Sequence, residues 1–234
     1  MREDMKHFED DTELFTAMRS RLFTAVVGDI LDTMGLQHQF LPPQIKALRD
    51  DMVAVGRAMP VLEADFFATA EAGGHSEFSA KPFGLMFHAL DSLKENEIYV
   101  CSGSSPRYAV WGELMSTRAM KLKAAGAICD GYCRDSAGIL ALDFPTFCYG
   151  SYAQDQGPRG KVVDYGIPIE IGGIRIRPGD ILFGDRDGVL VIPKEAEREA
   201  IALALEKAET ENKVRLAIEA GMSTVEAFER FGVM

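Results

Sequence analysis

The 234-residue chain carries 36 acidic against 25 basic side chains, a formal net charge of −11. A surface of that sign repels phosphate backbones, so direct nucleic-acid binding is not expected. No stretch approaches the roughly 18 consecutive apolar residues that a membrane span requires, and the charged opening "MREDMKHFEDDTELF" lacks an apolar signal segment.

Hydrophobic content of 47% and charged content of 26% are those of a globular protein with a sizeable core. Cys101, Cys129, Cys133 and Cys148 form no CxxC pair, and three of them sit in apolar, strand-like runs. Free buried thiols and a reducing, cytoplasmic setting are the expectation.

In chain order, Leu14, Met18 and Leu22 recur at helical spacing. Thr24 is placed to cap a second helix, "AVVGDILDTMG", closed by Gly35. "MVAVGRAMPVLEAD" reads as a strand, "SAKPFGLMFHALDSL" as a loop and helix, and "EIYVCSG" as a strand. "GELMSTRAMKLKAAG" is helical, with Leu114, Met115, Ala119 and Leu122 on one stripe and Gly126 as its stop. "AICDG" is a short buried strand, residues 135 to 142 a helical turn or two, and "PTFCYG" another strand. Strand, helix, strand in that order predicts parallel βαβ neighbours.

From about residue 160 the pattern becomes short strands broken by Gly-Gly, Pro-Gly-Asp and Asp-Gly turns, for which hairpins are the natural reading. A charged helix over Lys194 to Lys213 is placed to extend from the body toward a neighbour, and Ser223 with Glu226 has capping-box spacing for a last helix. The elements describe one α/β domain over 1–234 with mixed sheets, N-terminal helices over about 11–35 and a C-terminal helical extension over about 194–234.

Several motifs carry no chemistry. "CSGSSPR", 101 to 107, lacks the lysine and spacing of a phosphate loop and reads as a strand-to-loop turn. "DRDG", 185 to 188, lacks the later ligands of a calcium loop and reads as a hairpin turn. His7, His38, His75 and His88 are scattered without zinc spacing; His75 lies in a loop that would reach a ligand, although a bland exposed histidine explains it as well. No GxSxG nucleophile elbow is present.

What remains is "VWGELMS" followed by "DGYCRD". Gly112-Glu113-Leu114-Met115 stands where a loop becomes a helix, and the unpaired amides there suit a small carboxylate. Arg134 and Asp135 follow the end of a strand, the usual rim of a ligand crevice in α/β sheets. The competing reading makes Asp135 a helix cap and leaves Arg134 solvated.

An acidic residue, twenty intervening residues and Arg-Asp are met by Glu113, residues 114 to 133 and Arg134-Asp135. With "WGELMSTRAMKLKAAGAICDGYCRD", "FPTFCYG" and "PGDILFGDRDGVLVIP", the chain from about Thr24 to Pro193 resembles the class II pyruvate aldolases typified by 4-hydroxy-4-methyl-2-oxoglutarate aldolase. Their superfamily also holds the RraA-type regulators of ribonuclease E. The resemblance implies a compact α/β/β sandwich of the swivelling β/β/α, RraA-like kind, assembled as a homotrimer or homohexamer with sites at subunit interfaces.

It further implies a lyase that cleaves 4-hydroxy-2-keto (di)carboxylates to pyruvate and decarboxylates oxaloacetate. Main-chain amides of Gly112 to Met115 would hold the substrate carboxylate. Arg134 would meet the keto and carboxylate oxygens, and Asp135 would bind Mg²⁺ or Mn²⁺. The aldolases usually have Asp where this chain has Glu113. Asp29 and Asp32 are candidates for acidic residues given to a neighbouring subunit, although helix-face solvation explains them better. A non-catalytic ribonuclease regulator is the alternative function, although such regulators lose the metal-binding aspartate. A menaquinone methyltransferase is not expected, because no glycine-rich cofactor motif is present.

Overall fold

The computed structural model describes residues 8–67 and 81–233 of the chain, so the candidate His75 lies outside the described residues. Helix α1 (Asp11–Arg21) opens at Asp10, whose carboxylate accepts the Glu13 amide at 2.9 Å, and it buries Leu14, Phe15 and Met18. Helix α2 (Thr24–Thr33) starts at Thr24 itself. Thr24 is not the cap: its amide and hydroxyl both donate to the Asp185 carboxylate, each at 2.7 Å. The capping group thus comes from a turn 161 residues away.

After the short strand β1 (Lys46–Ala47), the long strand β2 (Ala54–Asp65) runs through the centre of the molecule. Helix α3 (Met86–Asp91), β3 (Glu97–Ser102) and β4 (Ala109–Trp111) follow. Next come α4 (Glu113–Lys121), β5 (Gly126–Cys129), β6 (Tyr132–Cys133), α5 (Ser136–Ala141) and β7 (Thr146–Cys148). The chain continues through β8 (Gly160–Tyr165), β9 (Ile169–Ile171), β10 (Ile174–Ile176), β11 (Ile181–Asp185) and β12 (Gly188–Ile192). It ends in α6 (Glu197–Glu219) and α7 (Thr224–Phe231).

The expected parallel neighbours are β2, β3, β5 and β7, paired in that order. Antiparallel strands extend them: β1 beside β7, and β11 then β12 beyond β2. Residues 39–41 bond along β12, with Leu41 N–H to Val189 O at 2.8 Å and Val191 N–H to Gln39 O at 2.9 Å, which nearly closes the sheet on itself. Not every segment beyond residue 160 forms a hairpin. β9–β10 and β11–β12 do, but β8 returns to the far half of β2, opposite Val61 to Asp65. The length of β2 explains this, since its two halves take different antiparallel partners.

Alternation along the strands assigns their side chains to separate layers. Tyr99, Cys101, Ala127 and Cys129 pack with Met86, Met115, Ala119 and Ile139 of α3 to α5. The intervening Ile98, Val100 and Ile128 pack on Ile169, Ile171, Ile174 and Ile176 of the β9–β10 hairpin. The parallel strands are therefore apolar on both faces, as such strands must be when both are covered. A third cluster joins α1, α2 and α6 to Phe183, Leu190 and Ile192. Together these layers form the α/β/β sandwich with mixed sheets expected from the sequence.

Three local expectations change. Helix α4 ends before Gly126, which is the first residue of β5; Lys123 supplies the left-handed turn, at φ 59°. Leu114 is 83% exposed, because it lies on the outer face of α4 with Thr117, Arg118 and Lys121, while Met115, Ser116 and Ala119 make the buried face. Helix α6 lies on the body rather than standing off it: Ala200, Ile201, Ala204 and Ala208 are buried against α2. The capping box of α7 is present, with Glu226 N–H donating to Ser223 Oγ at 3.2 Å and Ser223 N–H to the Glu226 carboxylate at 3.0 Å. No helix among the described residues is long and apolar enough to cross a membrane.

Candidate active site at the ends of β4 and β6

Strands β4 and β6 run parallel, with Trp111 opposite Cys133, so the residues that follow each strand emerge side by side. The Arg134 amide donates to the Trp111 carbonyl at 2.9 Å and ties the two exits together. Trp111 is buried against Tyr99 and Phe144. Its indole N–H donates to Ser116 Oγ at 2.8 Å, and that hydroxyl donates in turn to the Gly112 carbonyl at 3.1 Å. A rigid aromatic anchor thereby fixes where α4 begins.

Gly112 precedes the first turn of α4 in extended conformation, and no side chain caps the helix. The amides of Glu113, Leu114 and Met115 consequently remain available, at the positive end of the helix dipole. A Cβ on Gly112 would sit 3.0 Å from Asp135 Oδ2, so the absence of a side chain lets the carboxylate approach the backbone closely.

Asp135 occupies the left-handed region at φ 54°, ψ 33°, a conformation that costs a non-glycine residue on the order of 1 kcal/mol or more. It stands at the start of α5, and its carbonyl accepts the Gly138 and Ile139 amides at 2.9 and 3.2 Å. Its side chain makes no capping bond. That observation decides against the cap reading: the backbone of Asp135 opens the helix while its half-exposed carboxylate makes no bond to the helix and, among the described residues, meets only Arg134 Nε, at 3.5 Å.

Arg134 and Asp135 are only loosely paired, Nε to Oδ2 at 3.5 Å. The firm partner of Arg134 is Asp155, with Nη1 donating to Oδ1 at 2.6 Å. This contact leaves most of the guanidinium N–H groups for another acceptor. Asp155 lies in the loop after β7, in a stretch where no local pattern marks it.

Glu113 is exposed, and its carboxylate lies against α5, where a Cβ on Gly138 would come within 2.3 Å of Oε2. The structure thus gathers Gly112, Glu113, Arg134 and Asp135 at one sheet end. Leu114 and Met115 enter through their amides, since Leu114 points to solvent and Met115 into the core.

Asp29 and Asp32, the candidates for a neighbouring subunit's site, lie on α2 apart from this chain's own group. Both are exposed on α2, and Asp29 receives Lys207 Nζ at 2.5 Å. His38 and His88 are exposed. The four cysteines are buried and free. The "CSGSSPR" turn is filled by the Asp65 carboxylate, which accepts from Ser105 N–H and Arg107 Nη2 at 2.9 Å and from the Tyr108 hydroxyl at 3.0 Å. A loop that already holds a carboxylate is no vacant phosphate cradle. The "DRDG" segment is the β11–β12 turn.

Among the described residues no three His, Cys, Asp or Glu side chains converge as a metal-ligand group. The fit of a divalent cation therefore rests on Asp135 alone. Its half-exposed carboxylate, which makes no capping bond, suits Mg²⁺, which keeps several waters and takes one or two protein carboxylates.

Comparison with known proteins gives this site its context. A family model described as "RraA-like: Aldolase/RraA" matches residues 24–191. A protein of Halalkalibacterium halodurans named "Putative 4-hydroxy-4-methyl-2-oxoglutarate aldolase" is 31% identical over 207 residues, 88% of this chain and 89% of that one. Protein DlpA of Legionella pneumophila is 27% identical over 209 residues, 89% of this chain but 32% of its own length, so the chain spans about a third of that relative. The crystal structure of Streptomyces coelicolor RraAS2, titled an unusual member of the RNase ES inhibitor RraA protein family, superposes with a TM-score of 0.75 at 20% identity, covering 88% of this chain and 98% of that one. That structural likeness shows a shared fold. With 24–191 matched and the strand-end site in place, this chain is a member of the RraA-like, Aldolase/RraA family.

Proposed function

We propose that the protein is a divalent-metal-dependent carbon–carbon lyase that cleaves 4-hydroxy-2-keto (di)carboxylates to pyruvate and also decarboxylates oxaloacetate. The observation that carries this reading is the half-exposed Asp135 carboxylate, held in a left-handed backbone beside Gly112 and only loosely paired with Arg134 instead of capping α5. The name of the Halalkalibacterium halodurans relative supports the same class of chemistry.

The uncapped amides of Glu113, Leu114 and Met115 would bind the substrate carboxylate at the start of α4. Arg134, oriented by Asp155, would offer its remaining N–H groups to the keto and carboxylate oxygens. The exposed Glu113 carboxylate would hold the water that takes the proton from the substrate hydroxyl. As that proton leaves, the carbon–carbon bond breaks, the alcohol carbon becomes a carbonyl, and the bonding pair stays on the pyruvate fragment as an enolate. The fixed positive charge of Arg134 is worth most at that moment, when negative charge develops.

Mg²⁺ or Mn²⁺ bound by Asp135 would supply Lewis-acid stabilisation of the same charge. Loss of carbon dioxide from oxaloacetate leaves the identical enolate, so one site serves both reactions. The exposed Leu114 beside the site supports a subunit boundary there, in a homotrimer or homohexamer.

The test is pyruvate release from oxaloacetate and a panel of 4-hydroxy-2-keto acids, with Mg²⁺ or Mn²⁺ and then with EDTA. Metal-dependent turnover supports the assignment. An inert protein that instead co-purifies with a ribonuclease, and carries no metal by elemental analysis, is the regulator reading and overturns it.

A further inference from the structure

The Asp155 carboxylate that holds Arg134 is itself held from behind. Its Oδ2 accepts the Gly157 amide at 3.2 Å and its carbonyl accepts Arg159 Nη1 at 3.0 Å. The Gln156 carbonyl accepts the Arg159 and Gly160 amides at 2.7 and 2.9 Å, closing a tight turn, and the Ala109 amide ties Gln154 to β4 at 2.9 Å. The Gln156 side chain points inward. It is 3% exposed, and its Nε2 donates to Glu63 Oε2 at 3.0 Å, across 93 residues of sequence.

Glu63 is 2% exposed on β2, at the register shift where β8 pairs with it. Its second oxygen, Oε1, has no partner among the described residues. A buried carboxyl of this kind is costly unless neutral. Gln156 is a peg set into the sheet core, and Asp155 is the residue immediately before the peg.

We propose that Gln156 and Glu63 are positioning residues for Arg134: the Gln156–Glu63 bond pins the 154–160 turn so that Asp155 holds the guanidinium toward the substrate. This deepens the lyase reading and rests on it only for the substrate; the mechanical link from Glu63 to Arg134 is independent of the reaction.

The chemistry around Glu63 also makes the peg sensitive to alkali. The groups facing it are Tyr99 and Cys101 of β3, Cys129 of β5, and Tyr108, with Asp65 further along β2 and Lys161 on β8, whose ammonium stands over the Phe66 ring at 4.5 Å. Burial pushes the Glu63 carboxyl up to about 8, against a smaller opposing effect of the Cys101 thiol. Burial likewise raises Tyr99 well above its ordinary range, so the phenol opposite stays neutral where Glu63 ionises. Above that pH an unpaired charge appears in the core beneath the turn.

Two variants separate the possibilities. Gln156→Leu keeps the apolar bulk of the peg and removes its donor; Glu63→Gln keeps an acceptor oxygen and cannot ionise. In the Mg²⁺-loaded protein, Gln156→Leu is expected to raise KM for oxaloacetate and to lower kcat/KM about 10- to 100-fold. Glu63→Gln should stay within about threefold of the parent at pH 7 and should lose the parent's fall in kcat/KM above about pH 8. Protection of the 154–160 amides against hydrogen–deuterium exchange, taken relative to the base-catalysed intrinsic rate at each pH and needing no turnover, should fall at least tenfold in Gln156→Leu and, in the parent but not in Glu63→Gln, above about pH 8. Unchanged exchange in Gln156→Leu overturns the proposal even if the lyase assay succeeds. Faster exchange in a protein that turns over no keto acid retains the link and sinks only the lyase reading. Should Gln156→Leu fail to fold, protection factors of the 154–160 amides that show the same alkaline dependence in the parent and Glu63→Gln overturn the proposal.

Discussion

The Glu113 carboxylate occupies the space where residue 138 would carry its Cβ. An alanine methyl there would stand 2.3 Å from Oε2, so the longer acid on α4 is accommodated by a glycine on α5. Gly138→Ala should therefore displace Glu113, whose exposed side chain is free to swing aside. Helix α5 gains propensity from the change, by up to about 1 kcal/mol. The expected result is an unchanged or slightly raised Tm with lyase turnover reduced about tenfold. In the Glu113→Ala background the same substitution should cost little more, because Glu113 Cγ, itself 2.6 Å from that Cβ, is then gone along with the carboxylate; a double-mutant cycle on kcat/KM measures the coupling.

Asp135→Asn removes the charge that would hold the cation while leaving a residue that tolerates the left-handed backbone. Turnover should fall by about three orders of magnitude, equivalent to roughly 4 kcal/mol of transition-state stabilisation. Tm measured without metal should move by less than a few degrees, since the parent carboxylate makes no capping bond that folding would lose. Retained metal-dependent turnover in Asp135→Asn would remove Asp135 from its proposed role.

Asp155 was invisible to sequence reasoning and provides a sharp check on the site. Asp155→Asn weakens the 2.6 Å contact with Arg134. Both side chains are substantially solvated, so the stability effect should be under about 1 kcal/mol. Activity should drop about tenfold, mainly through KM, as the guanidinium loses its fixed orientation; Arg134→Ala should drop it further. An Asp155→Asn variant with the parent's kcat/KM would make the ion pair incidental.

Linkage gives Glu63 a measurable signature in folding. Its carboxyl is raised from an ordinary value of 4.5 to about 8 in the folded protein by burial, so between those limits the folded chain binds the extra proton. Stability attached to the neutral form is full below about pH 4.5, falls as pH rises through the window, and is lost above about pH 8, at about 1.4 kcal/mol per unit. Glu63→Gln has no proton to lose. Denaturant titrations at pH 5, 6.5 and 8 should show the variant gaining on the parent as pH rises; parallel curves would place Glu63 in a more polar setting than its burial implies.

Much of the molecule follows from local pattern. The apolar 2.0 and 3.6 periods place the strands and helices, and Ser223 with Glu226 places the last helix start, because period and cap chemistry act within a few residues. The spacing from Glu113 to Arg134-Asp135 was legible only through the family resemblance; α4, β5 and β6 lie between the two stretches and bring them side by side.

Tertiary structure alone decided the rest. The Asp185 cap on α2, the Asp155 grip on Arg134, the Gly138 space for Glu113 and the Gln156 peg in Glu63 join residues 21 to 161 positions apart. Leu114 was counted on an apolar helical stripe yet stands in solvent, because α4 packs through Met115, Ser116 and Ala119 and turns Leu114 outward with Thr117, Arg118 and Lys121. Sequence period records what a residue does to its neighbours along the chain. Which distant group satisfies a carboxylate is set by how the sheet folds back on itself.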